Sequence, residues 1–331
     1  MNKLISLLLL LAAGTGGYLL RSYTESLPFQ FNLGGNTNHQ AAINGSGIPE
    51  KSLFGAKTPQ TIRIASFNIE SFGAAKAGDT SILDVLTRIM REFDIVAIQE
   101  IRSKDQTLIP YFVSLINSDG SRYEYELGPR LGRTNSKEQY AFLFDSRTIE
   151  IDRRATYTVA DPHDRMHREP LVALFRARSN NPSTAFTFKL INVHVDPDDV
   201  PEEMNTLSDV YRVVLADEDH EDDVILLGDF NTNEKKLFGL GRIPGITAAI
   251  EDQTTNASRT ECYDNFLFHE QKTREFNGKS GVVDLVRIFN LTTEQALAVS
   301  DHFPIWAEFS ILEGGPNRQI MTRVNRRDKL Q

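Results

Sequence analysis

Four apolar runs in this chain end on residues that can bind a cation, accept a proton or hold a water. TIRIASFN closes on Asn68, DIVAIQE on Glu100, TFKLINVH on His194, and VILLGDFN on Asp229 and Asn231. A fifth segment, ALAVSDHFPIWAEF, places Asp301 and His302 just ahead of another apolar run. Singly, each residue has an ordinary structural use: Asn and Asp terminate strands because their short side chains satisfy turn backbones, and a core histidine can simply be hydrogen-bonded. Jointly they carry more weight, because strand ends on one edge of a sheet converge in space, where the sites of α/β proteins lie.

The residue types point to hydrolytic chemistry. Glu100, Asn68 and Asp301 offer oxygen ligands in a chain with one cysteine, which suits a hard cation such as Mg²⁺ or Mn²⁺. His194 and His302 suit proton transfer near neutral pH. An imidazole in that role needs a carboxylate on its other nitrogen, and Glu138 in SKEQYAFLF and Asp264 in CYDNFLF are candidates. A cation, two carboxylate-backed histidines and the Asp229/Asn231 pair fit in-line attack of water on a phosphodiester. The cation offsets charge on the phosphate, one group activates water, and another protonates the leaving oxygen.

Such a cluster needs elements that deliver it. SILDVLTRIMREF places Ile82, Val85, Leu86, Ile89, Met90 and Phe93 on one helical face, between TIRIASFN and DIVAIQE. PEEMNTLSDVYRVVLADE, with Met204, Leu207, Tyr211, Val214 and Leu215 inward, links TFKLINVH to DVILLGDFN in the same way. These two strand–helix–strand units read as halves of a pseudo-symmetric α/β domain. YEYEL, YAFLFD, PLVALFRA, DNFLF and FPIWAEF add strands without helical links, too many for a single doubly wound sheet. The expectation is two sheets packed face to face with helices outside. The stretch from Asp196 to Asp223, with twelve acidic residues and one Arg, reads as a solvated helix face and its loops rather than a calcium loop.

Bulk properties narrow the choice. At 331 residues and 40% hydrophobic, the chain can build one large core. A formal net charge of -9 excludes general polyanion binding by a basic surface, so phosphate chemistry must rely on local cations. The lone Cys262 excludes an intrachain disulfide framework. At the N-terminus, MNK precedes an uncharged, Leu-rich run from Leu4 to Leu20, with small residues at Ala12-Ala13-Gly14 and Gly16-Gly17. This is the pattern of a secretory signal, nearly long enough to span a bilayer if uncleaved. The expected order is a signal peptide or membrane anchor over 1–20, a flexible linker over 21–60, a catalytic domain over 61–311, and a basic tail over 312–331. Export follows, with the protein periplasmic, secreted or held at a membrane by its N-terminal segment. The tail, with Arg318, Arg323, Arg326, Arg327 and Lys329, reads as solvated chain that could steer toward nucleic acid or anionic lipid.

RIASFNIESFG, DIVAIQEIR, LGRTNSKEQYAFLF, HREPLVALF, LLGDFN and ALAVSDHFPIW follow one another across Ile62 to Phe309. With them the chain resembles the endonuclease/exonuclease/phosphatase superfamily, and LGR-x-x-x-KE and REP point to its deoxyribonuclease I-like branch. The resemblance implies a four-layer α/β sandwich and a metal-dependent endonuclease that hydrolyses DNA, double-stranded above all, with little sequence preference. It makes Glu100 the main ligand of Mg²⁺ or Mn²⁺, with Asn68 nearby and Asp301 assisting metal or histidine. It pairs His194 with Glu138 and His302 with Asp264, and has Asp229 and Asn231 orient the phosphate or the nucleophile. For water activation His302–Asp264 or Asp229 is favoured, and for the leaving group His194–Glu138. Arg102 matches an arginine reaching the minor groove and Arg168 one near the scissile phosphate. Asp164 with Glu169, and Asp252 with Thr254, match structural calcium sites.

The departures are specific. Ser136 stands where the family has a tyrosine that stacks on a minor-groove sugar, which should weaken duplex binding or relax the preference for bent grooves. The family's two disulfides are absent, and the loop from Asp161 to Arg168 is shorter. A phospholipid or inositol-phosphate phosphodiesterase of the same superfamily would keep the chemistry, but lipid-cleaving relatives carry exposed aromatic hairpins and no such stretch is present. A non-catalytic DNA- or protein-binding relative would require damage to the site, yet every catalytic position holds a competent residue. A net charge of -9 would also be unusual for a pure duplex binder.

Overall fold

The computed structural model describes residues 57–315. The signal or anchor over 1–20, most of the linker and most of the basic tail lie outside the described residues. In chain order the elements are β1 (Thr61–Phe72), α1 (Ala74–Ala77), α2 (Thr80–Arg91), β2 (Ile95–Ile101), α3 (Leu108–Ile116), β3 (Tyr123–Leu127), β4 (Gln139–Asp145), β5 (Ile149–Thr158) and β6 (Leu171–Ala177). They continue as β7 (Thr187–His194), α4 (Val200–Leu215), β8 (Val224–Asp229), β9 (Ile246–Ala248), β10 (Asp264–His269), β11 (Phe276–Val282), α5 (Leu285–Ile288), α6 (Thr293–Val299) and β12 (Ile305–Ser310).

The strands form two six-stranded sheets, ordered β11-β12-β1-β2-β4-β3 and β5-β6-β7-β8-β10-β9. In each, one parallel pair sits at the centre, β1 with β2 and β7 with β8, and the remaining pairings are antiparallel. The sheets correspond strand for strand, with α2 and α4 as equivalent crossovers, so the expected pseudo-symmetry is present. Every residue expected on the inner face of α2 is buried, and Asp79 caps that helix by accepting from the backbone of Ser81 and Ile82. Leu215 alone among the residues expected inside on α4 is only half-buried, because it is the last residue of the helix.

Strand alternation builds the layers. On β1, Ile62 and Ile64 face the core between the sheets, while Ala65, Phe67 and Ile69 face the layer under α2. Between the sheets Phe142, Phe175, Phe188, Leu190, Ile225 and Phe309 interlock, and Phe186 stacks on Phe188 with ring centroids 4.5 Å apart. A third core lies under α4, against Ile191, Val193 and Leu226. Helix, sheet, sheet and helix therefore stack as four layers.

The acidic stretch departs from expectation at two positions. Glu203 on α4 and Asp223 just before β8 are fully buried, not solvated. Glu203 faces inward because its two oxygens receive backbone N–H groups, His167 on one and Asp196 at 2.9 Å on the other. Seven elements, the strands β5, β9 and β11 and the helices α1, α3, α5 and α6, have no counterpart in the reading of the sequence.

Candidate active site

The C-terminal ends of the parallel strands meet the N-terminal ends of their antiparallel neighbours along one edge of the sandwich. That edge receives Asn68 and Glu100 from β1 and β2, and His194 and Asp229 from the ends of β7 and β8. Antiparallel β4, β6, β10 and β12 enter at the same edge, preceded or opened by Glu138, Arg168, Asp264 and His302. Asp229 is in register with His194 on one side and Asp264 on the other.

Three backbone features aim these side chains. Gly228 has φ +144° and a Cβ there would lie 2.0 Å from the Val193 carbonyl oxygen, so only glycine lets β8 deliver Asp229 this close to β7. Glu100 has φ +62°, unusual for glutamate, where the pairing of β2 with β4 slips between Ile98 and Ile101. That conformation costs roughly 1–3 kcal/mol. It is held by the Ser71 amide, which donates to Glu100 Oε2 at 3.0 Å. Asn231, at φ +49°, is a residue type that tolerates the left-handed region, and its Nδ2 donates to the Val195 carbonyl at 2.8 Å.

Each histidine has a buried carboxylate behind it. His194 Nδ1 lies 3.1 Å from Glu138 Oε2, and His302 Nδ1 lies 2.8 Å from Asp264 Oδ2. Both Nε2 atoms face the same oxygen, Asp229 Oδ2, at 3.7 Å from His194 and 3.5 Å from His302. Asn68 Nδ2 donates to that oxygen at 3.1 Å and to Glu100 Oε1 at 3.2 Å. Asn68 thus presents its amide nitrogen to the two carboxylates, while its Oδ1 accepts from the Glu70 amide at 2.9 Å. Asn231 supports the same carboxylate through its backbone N–H, 2.9 Å from Asp229 Oδ1.

The electrostatics follow from these contacts. Burial would push the Glu138 carboxyl up, but the hydrogen bond to His194, its charge and those of Arg168 and Arg102 hold it at about 2. Burial opposes protonation of both imidazoles, and the carboxylates win. Glu138 and Asp229 raise His194, while Asp264 and Asp229 raise His302 well above the usual histidine value. Both imidazoles are thereby biased toward the protonated form until a negative neighbour is neutralised.

The remaining expected residues fall as follows. Asp301 is exposed, with Oδ1 3.9 Å from His302 Nε2, and burial together with Glu70 and Glu100 raises its carboxyl. Arg102 is at the rim and pairs with Glu100 Oε2 at 2.9 Å. Arg168 is buried behind Glu138: Nη1 donates to Glu138 Oε1 at 2.6 Å, Nε donates to the His194 carbonyl at 3.1 Å, and Nη2 has no partner. Ser136 is exposed. Asp164 lies on the surface, paired with Arg133 at 3.0 Å, with Glu169 half-buried nearby in sequence. Asp252, also exposed, is taken by Lys235 at 2.6 Å, and Thr254 is exposed. Among the described residues neither of these pairs joins a cluster of three convergent acidic, histidine or cysteine ligands.

Several supporting residues escaped the sequence. Gln99 on β2 and Asn192 on β7 bond across the two sheets at 2.6 Å, a polar bridge joining strands that carry Glu100 and His194. Thr255 Oγ1 donates to Asp264 Oδ2 at 2.7 Å, the Tyr140 hydroxyl accepts from the His194 amide at 3.0 Å, and Ser300 Oγ donates to the Asn68 carbonyl at 2.7 Å. A polar residue inside an apolar run, as in DIVAIQE and KLINVH, was the available signal.

The donor set fits a hard divalent cation. Glu100, Asp229 and Asp301 supply carboxylate oxygens around the two Nε2 atoms, without thiols. Glu138 also lies close to Glu100 and His194, but its oxygens are committed to Arg168 and His194, so it supports rather than ligates.

Comparison with known proteins identifies the family. The Endonuclease/Exonuclease/phosphatase family matches residues 65–302. Human Deoxyribonuclease-1-like 1 is 33% identical over 268 residues, covering 77% of this chain and 87% of the relative. Rat Deoxyribonuclease gamma is 32% identical, covering 74% and 83%. Among solved structures, a functionally unknown conserved protein from Enterococcus faecalis superposes with TM-score 0.51 at 16% identity, covering 74% of this chain and 98% of that one. Truncated TDP2 from Caenorhabditis elegans superposes with TM-score 0.50 at 14% identity, covering 76% and 98%. The chain belongs to the Endonuclease/Exonuclease/phosphatase family, as a deoxyribonuclease I-like member with its four-layer fold.

Proposed function

We propose that this protein is an exported, Mg²⁺- or Mn²⁺-dependent endonuclease that hydrolyses DNA with little sequence preference. The observation that carries the reading is the convergence of two carboxylate-backed imidazoles on Asp229 Oδ2, beside Glu100. The deoxyribonuclease names of its relatives support DNA as substrate, and the Leu-rich start of the chain supports export.

Glu100 would hold the cation, with Asp229 and Asp301 in reach, and the bound cation would supply charge neutralisation at the phosphate and its bridging oxygens. Asn68 fixes the Glu100 and Asp229 carboxylates relative to one another. Water attacks phosphorus in line; its proton passes to Asp229, or to His302 Nε2 once neutralisation of Asp229 has let that imidazole, held by Asp264 at its other nitrogen, give up its own proton. His194, kept as imidazolium by Glu138, gives its Nε2 proton to the departing sugar oxygen, so the P–O bond breaks without a free alkoxide. Arg102 at the rim is placed for a DNA contact, whereas Arg168, expected near the scissile phosphate, is buried behind Glu138 and holds the Glu138 carboxylate and the His194 carbonyl that position the leaving-group acid.

Nicking of supercoiled plasmid by residues 57–331 tests this, with Mg²⁺ or Mn²⁺, with chelator, and beside Glu100→Ala and His194→Ala. Metal-dependent nicking that both variants lose is the expected result. Equal residual nicking by wild type and variants would sink the assignment.

A further inference from the structure

A second group of carboxylates lies at the opposite end of the sandwich. Asp223 immediately precedes β8, Glu275 precedes β11 and Glu313 follows β12, so one residue comes from one sheet and two from the other. From Asp223 to Asp229 the strand spans roughly 20 Å, which puts this group well away from the histidines. One oxygen from each of Asp223, Glu275 and Glu313 lies within 4.8 Å of the others.

Acidic side chains on a surface often gather without a ligand, but these are not on the surface. Asp223 is 1%, Glu275 0% and Thr273 2% exposed. Within them Asp223 Oδ1, Glu275 Oε2 and Thr273 Oγ1 are buried with no hydrogen-bond partner among the described residues beyond one another, while Glu275 Oε1 accepts from the Gly314 amide. Neither Asp223 nor Glu275 has an ion-pair partner among the described residues, and the charges that act most strongly on Asp223, those of Glu275, Glu313 and Glu221, are negative. Buried polar atoms without partners are rare and costly, and adjacent buried carboxylates without a cation are more so.

We propose that Asp223, Glu275 and Glu313, with the Thr273 hydroxyl, form a structural calcium site that ties the two sheets together at the end remote from the catalytic residues. Oxygen atoms bound to Ca²⁺ at 2.3–2.6 Å are at most about 5 Å apart, which the observed separation satisfies. The donors are all oxygen, excluding a soft metal, and their burial disfavours Mg²⁺, which keeps several waters. The site shares no residue with Asp164, Glu169, Asp252 or Thr254. It draws on the acidic stretch through a single residue, Asp223. Burial and like charge push Asp223 up to about 10 and Glu275 up to about 7, a penalty that a divalent cation removes. The competing occupant is a proton shared between Asp223 and Glu275.

Thermal unfolding of the whole chain, with Ca²⁺ or with chelator, separates the two. Calcium at a hundredfold above Kd should raise the Tm of wild type by about 5 °C or more. Asp223→Asn and Glu275→Gln should lose most of that shift while the part contributed by other calcium sites persists. Equilibrium dialysis should find one calcium fewer per chain in either variant. The half-buried Glu313→Gln, a milder change, should weaken calcium binding at least tenfold if the buried variants do not fold. A wild-type Tm indifferent to calcium, or a calcium shift equal in wild type and all three variants, overturns the site.

Discussion

The two ends of β8 present the same functional group in opposite circumstances. At one end Asp229 receives a hydrogen bond on each oxygen, from the Asn231 amide and from Asn68, and faces two imidazoles. At the other end Asp223 keeps one oxygen that finds no partner among the described residues beyond Thr273 and Glu275, and it faces three carboxylates. Both are 1% exposed, so burial does not distinguish them. The difference lies in where the compensating positive charge comes from. Asp229 has protonatable partners within the chain, and Asp223 needs a proton or a cation supplied from solution.

The largest effect that tests this contrast comes from making the same substitution at both ends. Asp229→Asn removes the charge on which both Nε2 atoms converge, and should lower plasmid nicking by roughly 10²–10⁴-fold. Asp223→Asn should leave nicking within about twofold of wild type, since general acid–base groups are untouched. Comparable loss of nicking from both would show that the two ends are not independent.

Stability separates them next. Glu138→Gln leaves the Arg168 guanidinium buried without its counter-charge, which should cost about 3 kcal/mol in urea unfolding. Its carboxylate also raises His194, so the variant's pH–rate limb for the leaving-group acid should move to lower pH. An unchanged urea midpoint would mean that Arg168 finds another partner.

The pH dependence has opposite sign at the two ends. Glu138 is depressed from 4.5 to about 2, so its contribution is present above about 4.5 and is lost as pH falls toward 2. Asp223 is raised from 3.8 to about 10 and Glu275 from 4.5 to about 7. The folded state then holds protons that the unfolded chain has released, and stability falls as pH rises from about 4 through 7 and beyond. In chelator, wild type should lose more stability between pH 5.5 and 8.5 than Asp223→Asn does, by up to about 4 kcal/mol. The raised imidazoles also lose stability as pH rises, but they contribute to both proteins and cancel in the difference. Parallel pH profiles would remove Asp223 from the account.

The sequence showed one of these ends and hid the other for a physical reason. Asn68, Glu100, His194 and Asp229 each interrupt an apolar run at a strand end, so periodicity exposes them one by one. Asp223, Glu275 and Glu313 sit where strands begin or have already ended, among other polar residues, and only the packing of two sheets brings them together. The same logic explains the missed elements. β5, β9 and β11 are all edge strands, half-exposed and hydrogen-bonded along one side, so they need little apolar signal. Helix α3, LIPYFVSLI, carries Pro110 near its start and β-forming residues, which mask its helical period. Glu203 was unreadable because its partners, the amides of His167 and Asp196, belong to loops.

The smallest expected effect lies outside both clusters. Ser136 is exposed ahead of Glu138, at the position where the resemblance to deoxyribonuclease I implies a tyrosine stacking on a minor-groove sugar. Ser136→Tyr adds stacking surface without touching either buried carboxylate group, and one aromatic contact contributes about 0.5–1.5 kcal/mol. The variant should therefore lower KM for duplex DNA by roughly two- to tenfold, leave kcat and the calcium-dependent Tm unchanged, and have no effect on single-stranded substrate. A change in kcat instead of KM would mean that position 136 communicates with Glu138, two residues away, and that the catalytic end is less insulated from its rim than its hydrogen bonds imply.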